Sequence, residues 1–276
     1  VTEQWVQIDF DISYGDEELA TERLCAAGLP GWESVDRDGS LRLRVWVLAE
    51  DAPRVETALE GLEHQASVTP SRGEWAYTAS PIRVGRFLVS HLGGPKPSSK
   101  TDEAPIVLAP ALAFGGGEHA TTRASLRALE ANVRPGDRVL DVGCGSGVLS
   151  VAAALLGAGS VDAVDVDPTS LRATRRAARA SDVDVRVLEA GVEEATGPYD
   201  LVVANILAPV LVELSSAIMA CLDDGGRVLL SGIRKGRERE VASAYPALSV
   251  VSEHEEEGWM TILLSSGLKS TRPVGA

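Results

Sequence analysis

Cysteine and histidine are scarce in this chain. Cys25, Cys144 and Cys221 lie far apart with no Cys-x-x-Cys pair, and the four histidines show no His-Glu-x-x-His spacing. A disulfide framework and a structural zinc site are therefore not expected. Long hydrophobic runs are missing too: a stretch such as 148–159 falls well short of the ~18 apolar residues that cross a bilayer. No charged-then-apolar leader opens the sequence, so a cytoplasmic protein is expected. Basic residues are in deficit, 26 Lys and Arg against 40 Asp and Glu, which leaves a net charge of -14. Tight phosphate-driven binding of free nucleic acid needs a cationic surface, so a basic partner is favoured instead. What is present fits a packed globular chain: 276 residues, 45% apolar and 24% charged, with no extended low-complexity tract. Residues 1–63 hold 15 acidic and five basic side chains, a net of -10, and the remainder only -4. That asymmetry suggests two unequal units.

The pattern along the chain supports this division. Val6, Ile8, Phe10 and Ile12 alternate with polar residues, the period of a strand with one buried face. A helix capped by Asp16 is expected next, through Leu19, Arg23, Leu24 and Ala27, ending at Gly28 and Pro30. Residues 33–36 and 41–48 flank an Asp38-Gly39 turn and read as a hairpin. A second helix runs from Ala52 to Leu62, and a short strand covers 66–69, completing a βαββαβ unit of the ferredoxin-like kind. Residues 70–105 read as a connector, part packed around Trp75, Tyr77 and Phe87 and part loose across the Gly93 to Ser99 run. From Thr121 on, helices (121–131, 148–156, 168–180, 209–222) alternate with strands (138–142, 160–166, 183–188, 201–204, 227–231), which implies a doubly wound parallel sheet. Strands at 250–254 and 259–264 close it as an antiparallel hairpin. The fold class is thus α/β, a Rossmann-like domain after a small α+β unit.

The chemistry is concentrated after the strand at 139–142, where Gly143-Cys144-Gly145-Ser146-Gly147 leads into a helix. Glycines there let backbone approach a ligand at a helix N-terminus. The dinucleotide fingerprint fails, because Val148 and Ser150 stand where its third glycine is needed. No Gly-Lys-Ser/Thr follows either, which excludes a triphosphate loop. What remains is Asp-x-Gly-x-Gly-x-Gly beginning at Asp141, with Asp165 closing the next strand 22 residues after Gly143. S-adenosylmethionine suits this arrangement: amides of the loop, at Gly143 and Gly145 among others, would take its amino-acid end, Asp141 its ammonium through water or backbone, and Asp165 both ribose hydroxyls. The bland alternatives are a tight turn without ligand and an exposed strand-end acid.

With 141–147 and 164–168 in place, the chain resembles class I methyltransferases, which have a seven-stranded sheet. Two further segments narrow the resemblance. Residues 113–122, Ala-Phe-Gly-Gly-Gly-Glu-His-Ala-Thr-Thr, look like the Ala-Phe-Gly-Thr-Gly-x-His-Pro-Thr-Thr segment of the PrmA family, and Asn205-Ile206-Leu207-Ala208 matches its Asn-Ile-Leu-Ala. That family methylates the eleventh large-subunit ribosomal protein, and its likeness extends over nearly the whole chain. It implies a substrate-recognition domain over 1–69, the connector over 70–105 and a methyltransferase domain over 106–276. It also places Thr122, Gly143, Asp165 and Asn205 at cofactor-contacting positions, with Phe114 beside the pocket. Gly116, Glu118, Ala120 and Ala109 depart from the family pattern, which bears on substrate identity and leaves cofactor binding intact. The resemblance implies transfer of methyl groups to lysine side chains of that basic, lysine-rich protein, with its terminal amine as a further candidate. Another protein or a small amine as acceptor, and a non-catalytic regulatory protein that binds the cofactor, are the alternatives.

Methyl transfer from a sulfonium constrains the roles. The attacking amine must be uncharged, and a lysine with a pKa of ~10.4 is neutral about once in 2,500 at pH 7, a deficit of roughly 4.6 kcal/mol. One hydrogen bond, net ~1 kcal/mol, does not cover that. Desolvation and a nearby cation do more, so Asn205 is expected to orient the amine through its carbonyl oxygen; a strand-end turn or a purely cofactor contact is the plainer alternative. Arg172, Arg175, Arg176 and Arg179 form a helical stripe best read as a solvated face, and the acidic run 253–257 as a hairpin tip. His119 reads as a loop hydrogen-bonding residue, and Cys144 as a small side chain between glycines. Nothing in the sequence demands more than a monomer.

Overall fold

The structure, a computed structural model, describes residues 5–27, 32–37, 40–49, 52–62, 65–71, 81–91, 103–108 and 116–267. The Asp38-Gly39 turn, Gly28, Pro30, Trp75, Tyr77, the Gly93 to Ser99 run, Ala109 and Phe114 lie outside them, as does the Cys25 side chain.

The first unit runs β1 (Trp5–Ile12), α1 (Glu17–Ala26), β2 (Trp32–Arg37), β3 (Ser40–Leu48), α2 (Ala52–Ala58) and β4 (Gln65–Ser71). Its antiparallel sheet has the order β2-β3-β1-β4, the ferredoxin-like arrangement expected. Val6, Ile8, Phe10 and Ile12 of β1 and Leu41, Leu43, Val45 and Val47 of β3 all face one core, because side chains two apart share a sheet face. On α1 the pattern differs from expectation. Ala20 and Leu24 enter the core, Leu19 is exposed, and Asp16 sits in a 3-10 turn where its carboxylate accepts from Ser13 Oγ at 2.7 Å. The second helix also stops at Ala58, four residues short.

The stretch read as a connector carries part of a second sheet. β5 (Ile82–Val84) and β6 (Phe87–His91) form a hairpin, and β6 pairs in parallel with β7 (Ala104–Leu108). Val84, Phe87, Val89 and Ile106 join the core cluster of the following domain, so the packing of that domain begins before residue 106.

The large sheet contains β8 (Arg138–Val142), β9 (Ser160–Asp165), β10 (Arg186–Glu189), β11 (Tyr199–Asn205), β12 (Leu222–Arg234), β13 (Ser249–Glu256) and β14 (Trp259–Ser265). Its order is β10-β9-β8-β11-β12-β14-β13, parallel except for the two pairings made by β14. The helices are α3 (Ala120–Asn132), α4 (Val148–Leu155), α5 (Pro168–Ala180), α6 (Ala208–Glu213), α7 (Ser215–Ala220) and α8 (Glu238–Ser243). Leu201 and Val203 pack in one layer while Val202 and Ala204 pack in the other, which is why this strand is apolar throughout. The helix expected over 209–222 breaks at Leu214, and β12 runs 13 residues where five were expected, continuing through Gly232. No helix among the described residues is long and apolar enough to cross a membrane.

At the end of the sheet away from the glycine loop, Arg227 and Asp137 form a buried ion pair of 2.6 Å, and Arg227 also donates to the carbonyl of Asn132. Asp137 accepts the Arg134 N–H at 2.8 Å as well. Removing the cation strands a buried carboxylate, which costs about 3–5 kcal/mol. Arg227→Ala is therefore expected to lower the urea midpoint by that equivalent. Adding Asp137→Ala to it should recover part of the loss, because the stranded charge is gone.

Candidate functional site

Sheet order reverses between β8 and β11, and α/β proteins place their ligands in the crevice this opens beyond the strand C-termini. A cavity of about 730 Å³ lies there, within the range of small-molecule sites. Its walls come from the 143–145 loop, the 164–168 turn, the 190–193 turn, the 205–207 strand end and Trp259.

The loop is held by its own backbone. Gly143, Gly145 and Gly147 all adopt positive φ, at 72°, 52° and 82°. Contrary to expectation, its amides are engaged within the fold. Gly143 and Cys144 N–H donate to Val164 O at 2.9 and 3.1 Å, and Gly147 N–H donates to Cys144 O at 2.8 Å. Gly145 N–H donates to Asp165 Oδ2 at 3.0 Å. The loop thus presents a ligand with bare backbone and the positive end of α4 rather than a row of free donors.

Asp165 stands where the cofactor reading puts it, on the cavity wall. Its second oxygen accepts from Asp167 N–H at 2.9 Å, and burial pushes its pKa up. Asp167 caps α5 by accepting from Thr169 and Ser170 N–H at 2.8 and 3.2 Å. Between them Val166 is 83% exposed against the same cavity, a large apolar side chain open beside a carboxylate. That pairing fits a nucleoside, whose hydroxyls and flat base need an acceptor and an apolar contact. The residues present therefore fit S-adenosylmethionine.

Asp141 is not on the wall. It is fully buried beneath the loop, where one oxygen accepts from Ser150 Oγ and the other has no hydrogen-bond partner among the described residues. Burial, with the Asp165 charge adding to it, pushes its pKa up to about 7. Thr122 is likewise buried, its hydroxyl without a hydrogen-bond partner among the described residues, and its neighbour Thr121 lines the cavity. Cys144 accepts from Thr174 Oγ1 at 3.2 Å, and burial raises its thiol pKa far above neutrality. It is unreactive there.

Asn205 closes β11 on the cavity wall, half-buried, with no side-chain hydrogen bond among the described residues. Its position follows from Ile206. A Cβ on Gly143 would meet Ile206 Cγ2 at 2.5 Å, and one on Gly232 would meet Ile206 O at 2.3 Å. The residue after Asn205 is therefore clamped between two glycines. Gly232 was missed in the sequence, although a glycine inside a strand pattern signals a close backbone approach.

His119 caps α3, with Nδ1 accepting from Thr121 N–H at 3.3 Å, which assigns the ring proton to Nε2. It meets the Trp259 ring edge-on at 5.0 Å. Burial, then Arg123, lowers its pKa to about 4. Arg123 also pairs with Glu256 at 2.8 Å and Glu257 at 2.6 Å, while Lys235 holds Glu255 at 3.1 Å. The acidic hairpin tip is thus tied largely to the protein itself. Two residues of the small unit, Glu17 and Thr21, also line the cavity, and nothing in their local pattern announced it.

Comparisons with known proteins agree with this geometry. A family model described as ribosomal protein L11 methyltransferase (PrmA) matches residues 66–266. A ribosomal protein L11 methyltransferase of Symbiobacterium thermophilum is 40% identical over 225 residues, covering 76% of this chain and 74% of that protein. One from Pelotomaculum thermopropionicum is 38% identical over 261 residues, covering 90% and 83%. The crystal structure of a ribosomal protein L11 methylase from Lactobacillus delbrueckii subsp. bulgaricus superposes with a TM-score of 0.63 at 30% identity, covering 68% of this chain and 98% of that one.

Two outcomes are expected. Gly232→Ala forces a Cβ into the Ile206 backbone at a positive φ, so a lower Tm and a turnover reduced at least about tenfold should accompany it. For His119 the unfolded chain takes up a proton near pH 6.5 and the folded ring only near pH 4. Stability from this ring is complete above about pH 6.5 and is lost as the pH falls toward 4, on the order of 3 kcal/mol in all. Denaturation of His119→Gln at pH 7 and pH 4.5 should show a smaller pH dependence than the unmodified chain.

Proposed function

The chain belongs to the ribosomal protein L11 methyltransferase family, and from that premise we propose that it transfers methyl groups from S-adenosylmethionine to amino groups of ribosomal protein L11. Lysine side chains are the acceptors, with the terminal amine as a further candidate. The observation that carries this reading is the shared cavity, in which the glycine loop and Asp165 face Asn205 across the switch point of the sheet.

S-adenosylmethionine supplies, when bound, a methyl group on a sulfonium, open to in-line displacement by a nitrogen lone pair. The chain's part is to bind, orient and dehydrate. Asp165 would accept hydrogen bonds from the ribose hydroxyls, Val166 would cover the base, and Gly143 and Gly145, both at positive φ, would let the loop bend around the donor. Asp141 braces the loop from beneath, acting through its buried position rather than by direct contact. Thr122 shapes the same wall from behind Thr121, and Phe114 belongs to the segment that leads into it.

On the acceptor side, Asn205 holds the amine by its side-chain carbonyl so that the lone pair lies along the line of transfer. His119 is no base here, since its Nδ1 already accepts hydrogen bonds and burial keeps the ring hard to protonate. The ammonium gives its proton to solvent water on entry, because an apolar wall of Ile206, Leu207 and Trp259 disfavours the charged form. The ferredoxin-like unit, net -10 over residues 1–63, recognises a basic, lysine-rich ribosomal protein by complementary charge. With such an acceptor the protein works in the cytoplasm, as a monomer and without binding nucleic acid directly.

The test is incubation with labelled donor and a ribosomal-protein mixture, followed by mass analysis. Label on L11 is the expected result. Label elsewhere would point to another acceptor, and donor binding without transfer to a non-catalytic role. Asn205→Ala should lower kcat about 10- to 100-fold at saturating donor while calorimetry finds unchanged affinity for the demethylated donor. Unchanged turnover would remove its orienting role.

A further inference from the structure

The cavity has one wall that comes from the other unit. Glu17 and Thr21 lie one turn apart at the start of α1, share a face, and are 4% and 8% exposed. Glu17 is a buried carboxylate, and a buried charge is retained only with a partner. Its partner is Arg234, at the end of β12. The Arg234 guanidinium lies 4.0 Å from the Trp259 ring centroid, so the cation links the carboxylate to the ring, and these two line the cavity together with His119.

The other carboxylates of the cavity wall have different circumstances. Asp165 receives Gly145 and Asp167 N–H, Asp167 caps α5, and Glu193 is exposed. Glu17 alone among these four is held by a side-chain cation. A lysine brings a cation of the same charge, smaller and with a slender stem, into a cavity whose neighbouring wall is apolar.

We propose that Glu17 selects the acceptor: Arg234 neutralises its carboxylate until the ammonium of an incoming lysine takes it over, so that cationic side chains are admitted in preference to neutral or anionic ones. This rests on the reading above that lysine is the acceptor. The handover belongs to capture, because a carboxylate beside the nitrogen at the moment of transfer would hold it in the unreactive charged form. The amine reaches Asn205 only after leaving Glu17 and giving its proton to solvent water. Glu17 is therefore a specificity residue, and its effect falls on KM.

Steady-state kinetics of the full chain on ribosomal protein L11 separate this from a merely structural clasp between the units. Glu17→Gln, nearly isosteric, should raise KM about tenfold or more with kcat within threefold. Calorimetric affinity for the demethylated donor should be unchanged. Arg234→Gln removes the competitor and should lower KM. A clasp would send both variants the same way, since either loses the contact, so a raised KM in both overturns the proposal. Should Arg234→Gln fail to fold, Glu17→Gln still decides: a KM within twofold of the unmodified chain overturns the proposal, and a raised KM that Glu17→Asp partly restores supports it. If the unmodified chain transfers no label to L11, the functional reading fails first, and that result is distinct from any of these.

Discussion

The ends of β8 and β11 and the irregular stretch of β12 at Gly232 come so close together that two of the three segments have no room for a Cβ. Gly143 touches the Ile206 side chain, and Gly232 touches the Ile206 backbone. Both glycines hold positive φ, which lets each chain turn away at the point of contact. Ile206 is thereby clamped, and the residue before it, Asn205, faces the cavity from a fixed position. The 143–147 loop is held by a second constraint, the Val164 carbonyl, which takes two of its N–H groups. The donor-side loop and the acceptor-side strand end are thus positioned by backbone contacts that a side-chain substitution elsewhere would hardly disturb.

An acidic chain must also manage its buried carboxylates, and it does so in three ways. Asp165 and Asp167 are surrounded by backbone N–H groups, which stabilise a negative charge without a cation. Asp137, Asp162 and Glu17 are paired with arginines, Asp162 to Arg186 at 2.5 Å and also to the Tyr199 hydroxyl at 2.6 Å. Asp141 has neither solution in full, and its proton affinity rises accordingly. The pairs at Asp137 and Asp162 brace the sheet away from the cavity. The pair at Glu17 is different in kind, because it joins two units and its carboxylate lines the cavity.

Much of this was legible in the residues. The alternation in β1 and β3, the apolar run of β11 and the limits of α5 followed from periodicity, because burial of one face or of both leaves a local trace. The glycine loop and Asp165 were legible because their chemistry is local: a turn, a helix start and a strand-end acid at fixed spacing. Other features had no such trace. The pattern at 82–91 looked like a connector because its strands are short, and its burial depends on β7 and α3 arriving from later in the chain, as that of β7 depends on α4 and α5. The expected free amides of the loop proved to be engaged, since the carbonyl that takes two of them lies 20 residues away in sequence. Asp141 and Thr122 carry the right identities, yet their side chains turn into the core behind the wall.

By itself, then, the sequence determined that there are two units, that the second is a doubly wound sheet, and that a glycine bend and a strand-end carboxylate meet at its switch point. Each of these is a property of neighbouring residues and of the regular backbone period they impose. It took the folded chain to clamp Ile206 between glycines 89 residues apart, to turn Thr121 rather than Thr122 toward the cavity, and to bring Glu17 of the small unit onto its wall, paired with Arg234. These depend on which surfaces are brought together once the chain has folded, and long-range packing leaves no periodic mark on the segments that take part in it.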